Sequence, residues 1–106
     1  MLDPNEVFEK YRTAGINWAK LDGQASIMEE KRKPIRAQIM ISLGDISVNK
    51  AEMHAESSPT YIEHIEKMVE ARTAANIARA EWEAIKVWVD VTRSLESSRR
   101  AEMQLR

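Results

Sequence analysis

The chain contains no cysteine. That absence excludes a disulfide framework, a thiol nucleophile and a zinc site built on thiolates. Only three glycines and three prolines occur. Closely spaced strands need turns, and turns draw on these residues, so the count argues against an all-β fold and against a flexible linker. No apolar run approaches the ~20 residues that span a bilayer. The opening stretch MLDPNEVFEK has neither a basic nor an apolar region of the signal-peptide kind, so it is not read as one. The net charge is −1, which offers neither a broad basic field for nucleic acid nor an acidic imitation of it. The expectation is a soluble cytoplasmic protein with no membrane partner.

What is present suits long helices. Of the 106 residues, 43% are hydrophobic and 31% charged, with Ala, Glu, Lys and Arg prominent. The reading is all-α: one domain over residues 1–106, with helices at about 4–43, 47–56 and 59–104. Asp3-Pro4 marks the first start, as cap and first helical residue. Gly44 marks that helix's end. Ser47 caps a short helix, and Ser58-Pro59 repeats the start signal for the last one. Within the first helix Val7, Tyr11, Ala14, Trp18, Leu21, Ala25, Met28, Arg32, Ile35, Ile39 and Ser42 alternate steps of four and three. This is the seam of a helix that supercoils against a partner. Phe8, Ile16, Ile27, Met40 and Leu43 are expected to widen it. Gly15 and Gly23 each cost about 1 kcal/mol against Ala. Pro34 removes a hydrogen bond and clashes with the Glu30 carbonyl, so a kink is expected at Glu30–Pro34, with two abutting helices as the alternative.

The stretch Ile77–Leu95 organises the rest. An inner stripe runs Tyr61, Ile65, Met68, Arg72, Ala75, Ala78, Trp82, Ile85, Val89, Thr92. Its one short step, Ala75 to Ala78, falls in an Ala-rich zone where two helices can approach closely. A second stripe, Ile77, Ala84, Trp88, Val91 and Leu95, points elsewhere, and Val87 adds a third direction. A helix with one partner carries one apolar stripe. Two stripes imply cover from two sides: a long antiparallel hairpin, coiled-coil-like, self-associating into a helical bundle through the second stripe. If the caps set the hairpin register, Trp18 faces Ala84 between Trp82 and Trp88. Tyr11 then faces Val91, Arg32 faces Glu70 beside Arg72, and the acidic start faces the arginine-rich end.

Little looks like chemistry. His54 and His64 lack a Glu-x-x-His pattern, and neither has an acidic neighbour one turn away along its helix, so no metal is expected. There is no Gly-rich phosphate loop, no Ser-His-Asp set and no paired-carboxylate cleft, so no catalytic residue and no cofactor is expected. Arg32, Glu70 and Arg72 are read as a polar layer that fixes register, with Glu29 a further partner; a buried anion site is the alternative. Arg93, Arg99, Arg100 and Arg106 form a basic end. They complement the helix dipole and pair with the N-terminal acids, or, as the alternative, Arg93, Arg99 and Arg100 form a basic patch for nucleic acid. The tryptophans sit at seam spacing and are read as core.

From Ser57 onward the text resembles a family of short, uncharacterised prophage proteins. The resemblance rests on the Ser-Pro-x-Tyr helix start, the Glu-Ala-Arg-x-x-Ala-Asn segment at Glu70–Asn76 and the Arg-Ser-Leu-Glu-x-x-Arg-Arg-Ala-Glu-Met end at Arg93–Met103. It covers about half the chain and is weaker in the first helix. It implies a temperate-phage origin near recombination genes, a bacterial host cytoplasm and a helical fold, and it supplies no catalytic residue. The functional expectation is a non-enzymatic protein–protein interaction and oligomerisation module, an accessory or host-takeover factor whose partners are itself and another protein. The alternatives are a nucleic-acid-binding accessory of recombination and an oligomer that binds nucleotide between subunits.

Overall fold

Helix starts follow from the caps. In the computed structural model, which describes residues 3–105, the Asp3 carboxylate accepts the Asn5 N–H at 3.1 Å. The Asp3 carbonyl accepts the Val7 N–H at 3.1 Å. Helix α1 then runs Pro4–Ser42. It passes through Pro34 as one helix, so the reading of two abutting helices is set aside. Gly44 ends it at φ +80°, a left-handed conformation that glycine adopts without a Cβ penalty. Ser47 is extended, and its hydroxyl accepts the Lys50 N–H at 3.4 Å to open α2, Val48–Glu56. Helix α3 spans Pro59–Leu105, and the Ser58 carbonyl accepts the Ile62 N–H at 3.0 Å. The architecture is therefore all-α: long helix, short helix, long helix, as a hairpin. Arg106 of the expected basic end lies outside the described residues.

The chain divides into two compact units. One joins the residues up to Lys20 with those from Asn76 onward; the other is Leu21–Ala75. In the first, Val7, Ala78 and Val89 are buried, and Tyr11, Trp18, Trp82 and Ile85 are half-buried around them. In the second, Ala25, Ala51, Ala55 and Ala75 are buried. Leu21, Met28, Ile35, Ile39, Ile65 and Met68 flank them half-buried. Both expected seams are therefore the inward faces. Only Arg32 and Ser42 of the α1 seam are exposed, and these are the two residues in it that are not apolar. Phe8 and Met40 widen the seam as expected. Ile16, Ile27 and Leu43 are exposed instead: Ile16 and Ile27 lie on the side of α1 opposite the seam, and Leu43 lies past the helix end.

Alanine dominates this core for a physical reason. A layer of two helices can surround a methyl group but cannot enclose a large side chain. Among the described residues no large side chain is fully buried. Much apolar surface therefore stays wet, and each further Å² removed from water is worth roughly 25 cal/mol.

Candidate functional site

Three constellations come from these helices. The first is an aromatic clamp. Tyr11, Gly15 and Trp18 are spaced four and three apart, so they share one face of α1. The Trp82 ring of α3 lies on that face, with centroids 5.7 Å from Tyr11 and 5.1 Å from Trp18, both stacked. Gly15 forms the notch. A Cβ there would lie 3.0 Å from Trp82 Nε1 and 3.3 Å from Cδ1. The Arg79 guanidinium covers Trp18 at 5.9 Å from its centroid.

This clamp corrects the register read from the caps. Trp18 and Tyr11 meet Trp82, not Ala84 and Val91, so the contact is displaced by about one helical turn. The local cause is Gly15, whose missing Cβ lets the Trp82 ring settle between Tyr11 and Trp18.

Gly15 and Gly23 consequently differ. A Cβ on Gly23 meets nothing within 4 Å. Gly23→Ala is expected to raise stability by about 0.5–1 kcal/mol, since Ala is the better helix former. Gly15→Ala gains the same propensity but must push a ring that is held between two others, so it is expected to destabilise. Urea denaturation of the two variants would check this; equal stabilisation by both would contradict the notch.

The second constellation is polar and lies within Leu21–Ala75. Arg72 on α3 donates to Asp22 at 2.6 Å, to Ser26 Oγ at 3.3 Å and to Glu29 at 2.7 and 3.0 Å. Asp22, Ser26 and Glu29 follow at steps of four and three, which places all three acceptors on one face of α1. Arg72 and Glu29 meet. Arg32 and Glu70 are exposed and take no part, because the displaced register brings Arg72 to residues 22–29, short of 32. Asp22 and Ser26 were missed, although their spacing from Glu29 was visible.

Arg72's donation, first to Glu29 and then to Asp22, raises its own pKa. The same hydrogen bond is the main reason the Glu29 carboxyl sits below its ordinary value of 4.5. A carboxyl depressed on folding stabilises the fold above its unfolded pKa, and that contribution is lost as pH falls through the folded pKa. Stability should therefore drop as the pH is taken below about 4.5, and Arg72→Met should flatten that drop. Urea midpoints between about pH 3 and pH 6 would measure both, and an unchanged acid limb in the variant would contradict the assignment.

The third constellation is the outer face of α3. Ile77, Val87, Trp88, Val91 and Leu95 are 57, 59, 58, 52 and 48% exposed. An open groove of about 330 Å³ runs beside Val87, Val91 and Leu95 as far as Ser98. A smaller niche of about 210 Å³ lies between Trp88, Ile85, Val7 and Lys10. Trp88 thus sits where the inner seam gives way to the outer face.

The remaining candidates are dispersed. His64 Nε2 lies 2.7 Å from the Met28 carbonyl, and His54 is exposed. Among the described residues no group of three His, Asp or Glu side chains could hold a metal ion. Arg99 and Arg100 are exposed. The expected pairing of the arginine end with the N-terminal acids is replaced by nearer partners. Glu9 is bridged by Arg12 at 2.6 Å, one turn along the same helix, and Arg93 lies over the Phe8 ring at 5.8 Å. Ile41 near the end of α1, and Val48 and Met53 of α2, are also exposed; they are apolar residues in no periodic stripe and so not singled out by spacing. No described helix is long and apolar enough to cross a membrane. Comparison with family models, with curated proteins and with solved structures finds no match to this chain.

Proposed function

We propose that the protein is a non-enzymatic interaction module that self-associates through the outer face of α3. Its setting is the one implied by its resemblance to prophage proteins, as an accessory or host-takeover factor that presents a helical assembly to another protein. The observation that carries this reading is the exposure of Ile77, Val87, Trp88, Val91 and Leu95 on one helix. Contiguous apolar surface of that extent, bordered by charge, marks an association surface. Support also comes from the thin core. A hairpin whose fully buried residues are Ala and Val gains stability by burying more apolar surface elsewhere.

Sedimentation velocity of the purified protein at micromolar concentration tests the reading. The expected result is a dimer or larger species that dissociates on dilution. A well-folded monomer across that range overturns it. Salt-dependent binding of single-stranded DNA, lost on replacing Arg93, Arg99 and Arg100, would favour the nucleic-acid reading instead.

A further inference from the structure

The outer face of α3 carries more order than exposure alone. From Ile77 to Ala101, alternating steps of three and four meet only Ile, Ala, Val and Ser, all exposed. The residues of this stripe lie on the side of α3 away from the buried or half-buried row Trp82, Val89 and Glu96. One edge of the stripe holds Glu81, Trp88, Leu95 and Glu102 at steps of seven. The other edge holds Glu83 and Asp90, and one row further out on that side are Arg79, Lys86, Arg93 and Arg100, again at steps of seven.

We propose that a second copy of this chain packs antiparallel on this face, about a two-fold axis beside Trp88. This rests on the self-association reading and adds its geometry. In a parallel pair, opposite edges meet. Glu83 and Asp90 of one copy would then lie against the edge that holds Glu81, Trp88 and Leu95 in the other. Carboxylates would face indole, aliphatic or further carboxylate and would meet no basic row of the partner, so Glu83 would keep only the Arg79 of its own chain, at 3.1 Å. In an antiparallel pair each edge meets its own kind. The acidic edge then lies beside the partner's acidic row and the basic row behind it.

The register follows from superposing the ends of the uncharged stripe. Ile77 then falls against the partner subunit's Ala101, Ala84 against the partner subunit's Ser94 and Val87 against the partner subunit's Val91. Glu83 comes between the partner subunit's Arg93 and the partner subunit's Arg100. Asp90 comes between the partner subunit's Lys86 and the partner subunit's Arg93. On the far edge Trp88 lies beside the partner subunit's Trp88. This register covers the whole stretch from Ile77 to Ala101, whereas a slip by one heptad leaves an end of it bare. Because the interface is isologous, each pairing occurs twice.

The absence of native cysteine makes the arrangement directly readable. In the antiparallel pair positions 84 and 94 of different copies are adjacent. Equivalent positions, 84 with 84 or 94 with 94, are offset by ten residues, about 15 Å along the axis. Disulfides need Cα atoms within about 7 Å. Three variants are compared under mild oxidation: Ala84→Cys, Ser94→Cys and the double variant, all at exposed positions, with helicity checked by circular dichroism. The expected result is a disulfide-linked dimer as the main product of the double variant and monomer on a non-reducing gel for both single variants. The two positions in one chain are themselves ten residues apart along α3, so an internal bridge does not compete. Efficient cross-linking of either single variant indicates a parallel pair and overturns the proposal. A dimer by sedimentation that fails to cross-link in the double variant also overturns it, while leaving self-association standing. A monomer by sedimentation removes the self-association reading itself.

Discussion

Trp82→Ala is expected to cost more stability than any other single truncation in the half of the molecule that contains it, about 3 kcal/mol. The Trp82 ring stacks on both Tyr11 and Trp18 and closes over Gly15 between them. Its removal exposes the faces of two other aromatic rings. Each stacked pair adds about 0.5–1.5 kcal/mol beyond the area it buries. The space left behind is also hard to refill, since Gly15 has no side chain to move into it. Trp18→Ala removes one stack and the Arg79 contact, leaving the Tyr11 stack and the Gly15 notch intact, so its cost should be smaller. Urea denaturation at one fixed protein concentration, followed by far-ultraviolet circular dichroism, gives the comparison. Equal losses in the two variants would mean that the clamp does not act as a unit.

The clamp also marks where the sequence could be read and where it could not. Helix bounds were legible because each start has a local cause: Asp3-Pro4, Ser47 and Ser58-Pro59 supply caps or compatible first residues within a few positions. The inward faces were legible because a seam has a period, and the period survives Pro34 and the short step at Ala75–Ala78. Register was not legible, because it depends on how one helix meets another. The caps suggested one answer, but Trp82 settles into the gap that the missing Cβ of Gly15 provides. Gly15 looked like a cost to the helix. Its place between Tyr11 and Trp18 was the available sign that it is a seat for a ring. Once the register moves, Arg72 finds Asp22 and Ser26, and Arg32 faces water. The outer stripe of α3 was visible as a stripe, and its exposure is the structural counterpart. Its charged edges gain meaning only when a second helix is laid against them.

Trp88→Ala should act on association where Trp18→Ala acts on the fold. Trp88 is 58% exposed and borders the niche with Val7, Lys10 and Ile85, so most of its surface is available to a partner and little of it supports the hairpin. Aromatic residues at the centre of an interface commonly contribute about 2 kcal/mol or more. Trp88 occurs once in each copy beside the proposed axis, so both contributions are lost together. A total of about 4 kcal/mol corresponds to a rise of about a thousand-fold in the dissociation constant. Melting curves across a hundred-fold range of protein concentration separate the two effects. The unaltered chain and Trp18→Ala should both melt higher as concentration rises, with Trp18→Ala lower throughout. Trp88→Ala should melt at a temperature that no longer depends on concentration. If Trp88→Ala keeps the concentration dependence of the unaltered chain, Trp88 does not lie in the interface and the outer face of α3 is not where the copies meet.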